Sequence, residues 1–151
     1  FDQRVLGWVN GLRAQARHGR HPPHEIVALE HFLHDMRLYK SRAELALMQE
    51  AADIAARAHV RAMRFCQPGR HEYELMAELL HEFHRAQADI SYQPIVGGGA
   101  NGCILHYVEN RARLQDGDLV LIDAGCEYQK YASDITRTFP VNGEYSPEQR
   151  A

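Results

Sequence analysis

The chain has no long apolar stretch. No run approaches the roughly 20 residues that a membrane-spanning helix requires, so a membrane is not an expected partner. Cysteine is scarce: Cys66, Cys103 and Cys126 are the only three in 151 residues. An odd number without CxxC spacing argues against a disulfide framework and against a zinc knuckle. There is no excess of positive charge, since 17 Lys and Arg stand against 20 Asp and Glu for a net charge of −3. Nucleic acid therefore has no electrostatic claim as a partner. The glycine run Gly97–Gly102 lacks a following Gly-Lys-Ser/Thr, and a strand is expected after it, so it is not a phosphate loop. His81 and His84 stand one helical turn apart but lack the HExxH arrangement; they read as surface or core-edge residues. No signal-peptide pattern is present. The cysteines then read as small apolar residues in a reducing cytoplasm.

What is there is ordinary in bulk. Apolar residues make up 45% and charged residues 25%, and the length suffices for a buried core. Residues 1 to about 23 are basic and polar, with Val5, Trp8, Val9 and Leu12 marking a short amphipathic helix. His24 to about Met36 reads as another helix. Ser41-Arg42-Ala43-Glu44 is a capping box, and a long helix is expected from Ser41 to about Phe65. Leu45, Met48, Ala52 and Ala55 would mark its buried side. Gln67-Pro68-Gly69 stops it. A further helix spans about Glu72 to Gln87, with Leu75, Met76, Leu79, Leu80 and Phe83 at helical spacing.

After Asp89 the pattern changes to strands. Ile90 to Val96 is one, confined by Pro94 to an edge or a bulge. Cys103 to Val108, Leu119 to Asp123 and Lys130 to Thr138 follow, with a turn at Asp116-Gly117-Asp118. Helices first, then an antiparallel sheet, is the α+β pattern. Near the end, Ser146-Pro147-Glu148-Gln149 carries the signals of a helix start. With Phe1 in place of an initiating Met, this gives the expectation of a fragment of a longer polypeptide.

The chemistry concentrates in two aspartates. Asp123 ends an apolar strand and Asp134 begins the next. A hairpin turning at Tyr128-Gln129 would pair 127:130, 126:131, 125:132, 124:133 and 123:134, setting the carboxylates face to face. Like charges directly opposite destabilise a sheet, unless a cation lies between them, and paired carboxylates suit hard divalent metals. Alternation puts Asp134, Thr136 and Thr138 on one face of the last strand and Ile135, Arg137 and Phe139 on the other. The bland alternative is an exposed polar face of an edge strand. His106, flanked by apolar residues on an expected strand, reads by itself as a core histidine satisfied by a backbone carbonyl. Near a dimetal site it could instead bind substrate or shuttle a proton.

The motifs Lys40-Ser41-x-x-Glu44, Asn101-Gly102-Cys103-Ile104-Leu105-His106-Tyr107, Asp116–Gly125 and Tyr131-x-Ser133-Asp134-Ile135-Thr136-Arg137-Thr138-Phe139-Pro140 together resemble the proline-specific aminopeptidase P, or Xaa-Pro aminopeptidase, family. The resemblance runs from about residue 39 onward. It implies a "pita-bread" α+β fold shared with prolidase, methionine aminopeptidase and creatinase. Residues 1–38 would be the tail of an amino-terminal domain plus linker, and 39–151 the first half of the catalytic domain, with two long helices packed on an antiparallel sheet. It implies two Mn2+ ions (with Co2+ or Zn2+ as alternatives) held by five side chains, of which Asp123 and Asp134 are two. The metal-binding histidine and two glutamates would lie beyond this chain. It further implies a substrate contact for His106 and a place near the site for Tyr92. A hydroxide bridging the metals would attack the peptide carbonyl. The expected substrate is a peptide with an Xaa-Pro amino terminus, and the expected parent a cytoplasmic homo-oligomer, with the fragment inactive alone. The alternatives are a prolidase-type dipeptidase and a non-catalytic pita-bread binding module.

Overall fold

Ser41 opens the longest helix as its sequence dictates. In a computed structural model describing residues 2–150, its hydroxyl accepts from the Glu44 N–H while the Glu44 carboxylate accepts from the Ser41 N–H. This reciprocal cap satisfies two of the donors that a helix start leaves free. The structure divides after Lys40 into two compact units. The first carries α1 (Asp2–Ala14), a short 3-10 turn at Ala16–His18 and α2 (Leu29–Leu38). The expected helix from His24 therefore starts five residues later than its apolar pattern implied. Ala28 caps it without a side-chain bond. α2 buries none of its own residues, and Leu29, Phe32 and Met36 are exposed.

The second unit contains α3 (Arg42–Phe65), α4 (Glu72–Arg85) and six short strands: β1 (Asp89–Ile90), β2 (Ile95–Gly98), β3 (Leu119–Ala124), β4 (Cys126–Tyr128), β5 (Tyr131–Ala132) and β6 (Ile135–Pro140). The strands form two three-stranded antiparallel sheets, ordered β1-β4-β5 and β2-β3-β6. The α+β class and the two long helices on an antiparallel sheet are as the sequence implied. Pro94 does break the strand around it: β1 stops at Ile90 and β2 starts at Ile95.

The buried stripe of α3 differs from the expected one. Ala51, Ile54, Ala55, Ala58 and Ala62 are buried, whereas Leu45 is exposed and Met48 and Ala52 are half-buried. Small residues dominate because α3 lies close against α4 and β4, where large side chains would not fit. On α4 the expected residues do face inward: Leu75, Leu79 and Phe83 are fully buried, with Met76 and Leu80 packed against them. Val96, Val120, Ile122, Ala124 and Cys126 close the core from the sheet side. Burying a side chain of Ile or Leu size contributes about 1.5–3 kcal/mol, so this layer is what fixes β3 in place.

Candidate metal centre

β3 alternates strictly. Val120, Ile122 and Ala124 point into the core; Leu119, Leu121 and Asp123 point away from it. Its partner strands carry the same division, since β2 sets Val96 opposite Ile122 and Ile95 opposite Asp123. Asp123 thus leaves the sheet on its outer face, beside Ile95.

The hairpin register differs from the expected one by two residues. The turn lies at Gln129-Lys130, not Tyr128-Gln129, and Tyr128 pairs with Tyr131, Glu127 with Ala132, Ala124 with Ile135 and Asp123 with Thr136. Gln129 and Lys130 both have positive φ, 47° and 73°, which is the two-residue turn whose twist suits a hairpin. Neither residue is Gly or Asn, so no local signal marks the turn. The aspartates are therefore not directly opposite. A slip of two preserves the faces, because side chains alternate with period two. Asp123 and Asp134 remain diagonal neighbours on one face. The register sets Asp134 across from Gly125, where there is no side chain to crowd it.

Gly125 is required there. A Cβ at that position would lie 1.8 Å from the Ser133 carbonyl oxygen. The ladder opens locally at this point: the Ser133 hydroxyl takes the Cys126 N–H at 3.0 Å, and the Ser91 hydroxyl donates to the Ser133 carbonyl at 2.9 Å. These side-chain bonds replace the missing rung and carry the chain into Asp134.

The Tyr92 hydroxyl sits between the two carboxylates, 2.5 Å from Asp123 Oδ1 and 2.9 Å from Asp134 Oδ1. A phenol has one proton and can donate to only one of them at a time. No Lys, Arg or His forms an ion pair with either aspartate among the described residues. Partial burial and the two carboxylates together hold the Tyr92 phenol far above its ordinary range. The charge of the pair is uncompensated, and every donor is oxygen. That set fits a hard divalent cation, with Asp123 and Asp134 as the groups able to hold it. No cluster of three or more His, Cys, Asp or Glu suited to a metal occurs among the described residues.

His106 is the largest correction. It lies on no strand: residues Gly99–Cys103 form a 3-10 turn, and His106 follows in an exposed loop with φ 56°. It is not a core histidine. It reaches the same cleft nonetheless, a cavity of about 360 Å3 lined by Tyr92, Gln93, Ile95, His106, Val108, Asp123 and Asp134. All four site residues read from the sequence and its resemblance are thus brought to one cleft. A larger hollow of about 660 Å3 lies between α3 and α4, but its Arg57, Arg61 and Arg85 are already paired with Glu50, Glu78 and Glu82.

Sequence reading missed two polar residues behind the loop. Glu72, at the start of α4, and Asn110 are essentially fully buried. Asn110 accepts from the Val96 N–H and donates to the Pro94 carbonyl. The positive φ of Asn110, 49°, suits an asparagine, but no pattern around it distinguishes it from a surface turn.

A model of metallopeptidase family M24 matches residues 46–151. The Xaa-Pro aminopeptidase of Escherichia coli (strain K12) is 53% identical over 150 residues, covering 99% of this chain and 34% of that protein. Among solved structures, the aminopeptidase PepP of Pseudomonas aeruginosa superposes with a TM-score of 0.89 at 58% identity, covering 99% of this chain and 34% of the other. Zinc-substituted E. coli aminopeptidase P in complex with product gives a TM-score of 0.89 at 51% identity, over 97% and 33%. The chain spans about a third of the length of the relatives it matches.

Proposed function

The chain belongs to metallopeptidase family M24, and on that premise we propose that it is the part of a Xaa-Pro aminopeptidase that supplies two aspartate ligands and a substrate-facing histidine. Residues 1–38 are the tail of an amino-terminal domain with its linker, and 39–151 the first half of the catalytic domain; the structural division after Lys40 supports that boundary. The whole protein is a cytoplasmic homo-oligomer on this reading. The names of the relatives support a peptide substrate with proline in second position.

The observation that carries the reading is the Tyr92 hydroxyl set between Asp123 and Asp134 in a cleft that His106 also lines. Asp123 and Asp134 would hold a pair of divalent cations, manganese by preference, completed by ligands from the rest of the protein. Cations bound there would supply Lewis acidity toward a peptide carbonyl and acidify water at the site. The residues of this chain do the rest. Tyr92 donates its proton to one carboxylate and keeps both oriented. Ile95 and Val108 give the cleft an apolar shoulder that excludes water from one side of the peptide. His106, exposed at the rim, donates a hydrogen bond to the peptide and steadies developing negative charge.

The test is manganese-dependent hydrolysis of an Xaa-Pro-Xaa tripeptide by the full-length protein, beside its Asp123→Asn variant. Release of the first residue, lost in the variant, is expected. Cleavage of Xaa-Pro dipeptides alone would replace this reading by a prolidase-type one. No activity toward either peptide would overturn it in favour of a binding module, and metal-independent activity would overturn the metal role.

A further inference from the structure

His106 has nothing of its own to hold it. Its ring makes no side-chain hydrogen bond among the described residues, it is exposed, and its backbone is left-handed. What sets its direction must come from the loop around it. That loop, residues 98–112, is gathered onto one buried carboxylate. Glu72 Oε1 accepts from the Gly98 N–H at 2.9 Å and the Asn101 amide at 3.0 Å. Glu72 Oε2 accepts from the Tyr107 hydroxyl at 2.8 Å and the Ala112 N–H at 2.9 Å. The Glu72 N–H donates to the Ala112 carbonyl at 3.0 Å, closing a two-way pair.

Resting on the function proposed above, we propose that Glu72 is a positioning residue for His106: it holds the loop in the shape that presents the imidazole to the cleft and touches no substrate itself. The four donors fall at the beginning of the loop, at its 3-10 turn, at the residue next to His106 and at its end. Asn101 also donates to the Tyr107 hydroxyl at 3.0 Å, which ties the turn to the neighbour of His106. Gly98 leaves room for Leu114, because a Cβ there would meet a Leu114 methyl at 2.5 Å. Burying an unpaired carboxylate is costly, and an apolar residue of the same volume is often as stable or more so. Here the first turn of α4 and four donors offset that cost. What an apolar residue could not supply is the simultaneous hold on four points of an irregular loop.

Glu72→Gln tests this without changing shape. Whichever end carries the NH2 faces a backbone N–H, of Gly98 or of Ala112, that cannot turn away. In the full-length protein, kcat on the Xaa-Pro tripeptide is expected to fall roughly tenfold to a hundredfold, with metal content unchanged. Hydrogen exchange should rise within residues 98–112 while α3 stays protected. In a His106→Ala background the same substitution should cost nothing further in kcat. An equal loss in that background would overturn the proposal, because Glu72 would then act on the fold and not through His106. Unchanged exchange in 98–112 would overturn it as well. Should Glu72→Gln fail to fold, Tyr107→Phe removes one of the four holds and should show the same pattern at a few-fold scale; full additivity with His106→Ala would count against the proposal. A wild-type protein inactive on every Xaa-Pro peptide would sink the function and leave the exchange result to judge the loop.

Discussion

The two walls of the cleft are built on different principles. The aspartate wall is a hairpin whose inner face is Val120, Ile122 and Ala124, packed in an apolar core. Its geometry follows from strand alternation, ladder bonds and burial. The histidine wall is an irregular loop whose own apolar residues, Ile104 and Leu105, are exposed. Its geometry follows from two buried polar side chains: Glu72, which reaches in from α4, and the loop's own Asn110, which bonds back to Pro94 and Val96. A metal pair demands carboxylates fixed within fractions of an ångström. A peptide-binding arm must fit only while substrate is present. Apolar packing delivers the first, and a few directional bonds suffice for the second.

The sharpest way to break this contrast is to strike the hairpin at its tightest point. Gly125→Ala places a methyl on the Ser133 carbonyl and should destabilise the fold by about 4 kcal/mol or more, read by urea denaturation; a near-native midpoint would mean the ladder can open without loss. Asp123→Asn leaves the wall standing but removes its charge. Turnover of the full-length protein should drop by more than the roughly 100-fold cost of disturbing a ligand's support, with metal lost on elemental analysis. Normal metal content with near-normal turnover would contradict the ligand role. His106→Ala strikes the other wall. A fall in turnover of about a hundredfold or more, with metal stoichiometry retained, is expected; loss of metal would make His106 a ligand and erase the distinction between the walls.

The smallest effect concerns the helix end that carries Glu72. Glu74 accepts from the His71 N–H at 2.8 Å, and that bond, more than the adjacent Arg70, holds its carboxyl below the ordinary range. A depressed carboxyl contributes stability above the ordinary carboxylate range and loses it as pH falls through the folded value. Wild type and Glu74→Gln should therefore differ slightly in urea midpoint at neutral pH and converge in acid. A constant difference across that window would show that charge is not involved.

The hairpin wall is readable in the sequence because its signals are local: an apolar strand ending in Asp and alternation in the next strand. Even the two-residue register error did no harm, since faces repeat every second residue. The register itself was hidden because Gln129 and Lys130 adopt positive φ without being Gly or Asn. The histidine wall was misread as a strand for a related reason. Cys103–Val108 has strand-like composition, but the side-chain bonds that hold it tie Tyr107 to Glu72 and Asn101. The contact between Glu72 and Ala112 joins residues 40 apart, and no periodicity reports such a pair. On α3 the expected Ala55 is buried, but Leu45, Met48 and Ala52 lie off the packing surface, which Ala51, Ile54, Ala58 and Ala62 complete.

The distances along the chain also order the assembly in time. Asp123 and its ladder partner Thr136 are 13 residues apart, with the hairpin turn between them, and a hairpin closes in about 1–10 μs. The Glu72 bonds to Tyr107 and Ala112 close spans of 35 and 40 residues, with a higher entropic cost. Ile122→Val should then slow folding, and Tyr107→Phe should chiefly speed unfolding, which stopped-flow kinetics would separate. Equal partition for both would argue against this order. On that order the acidic pair would be assembled before the histidine arm takes its place, and a metal ion present while the chain folds would meet the hairpin first.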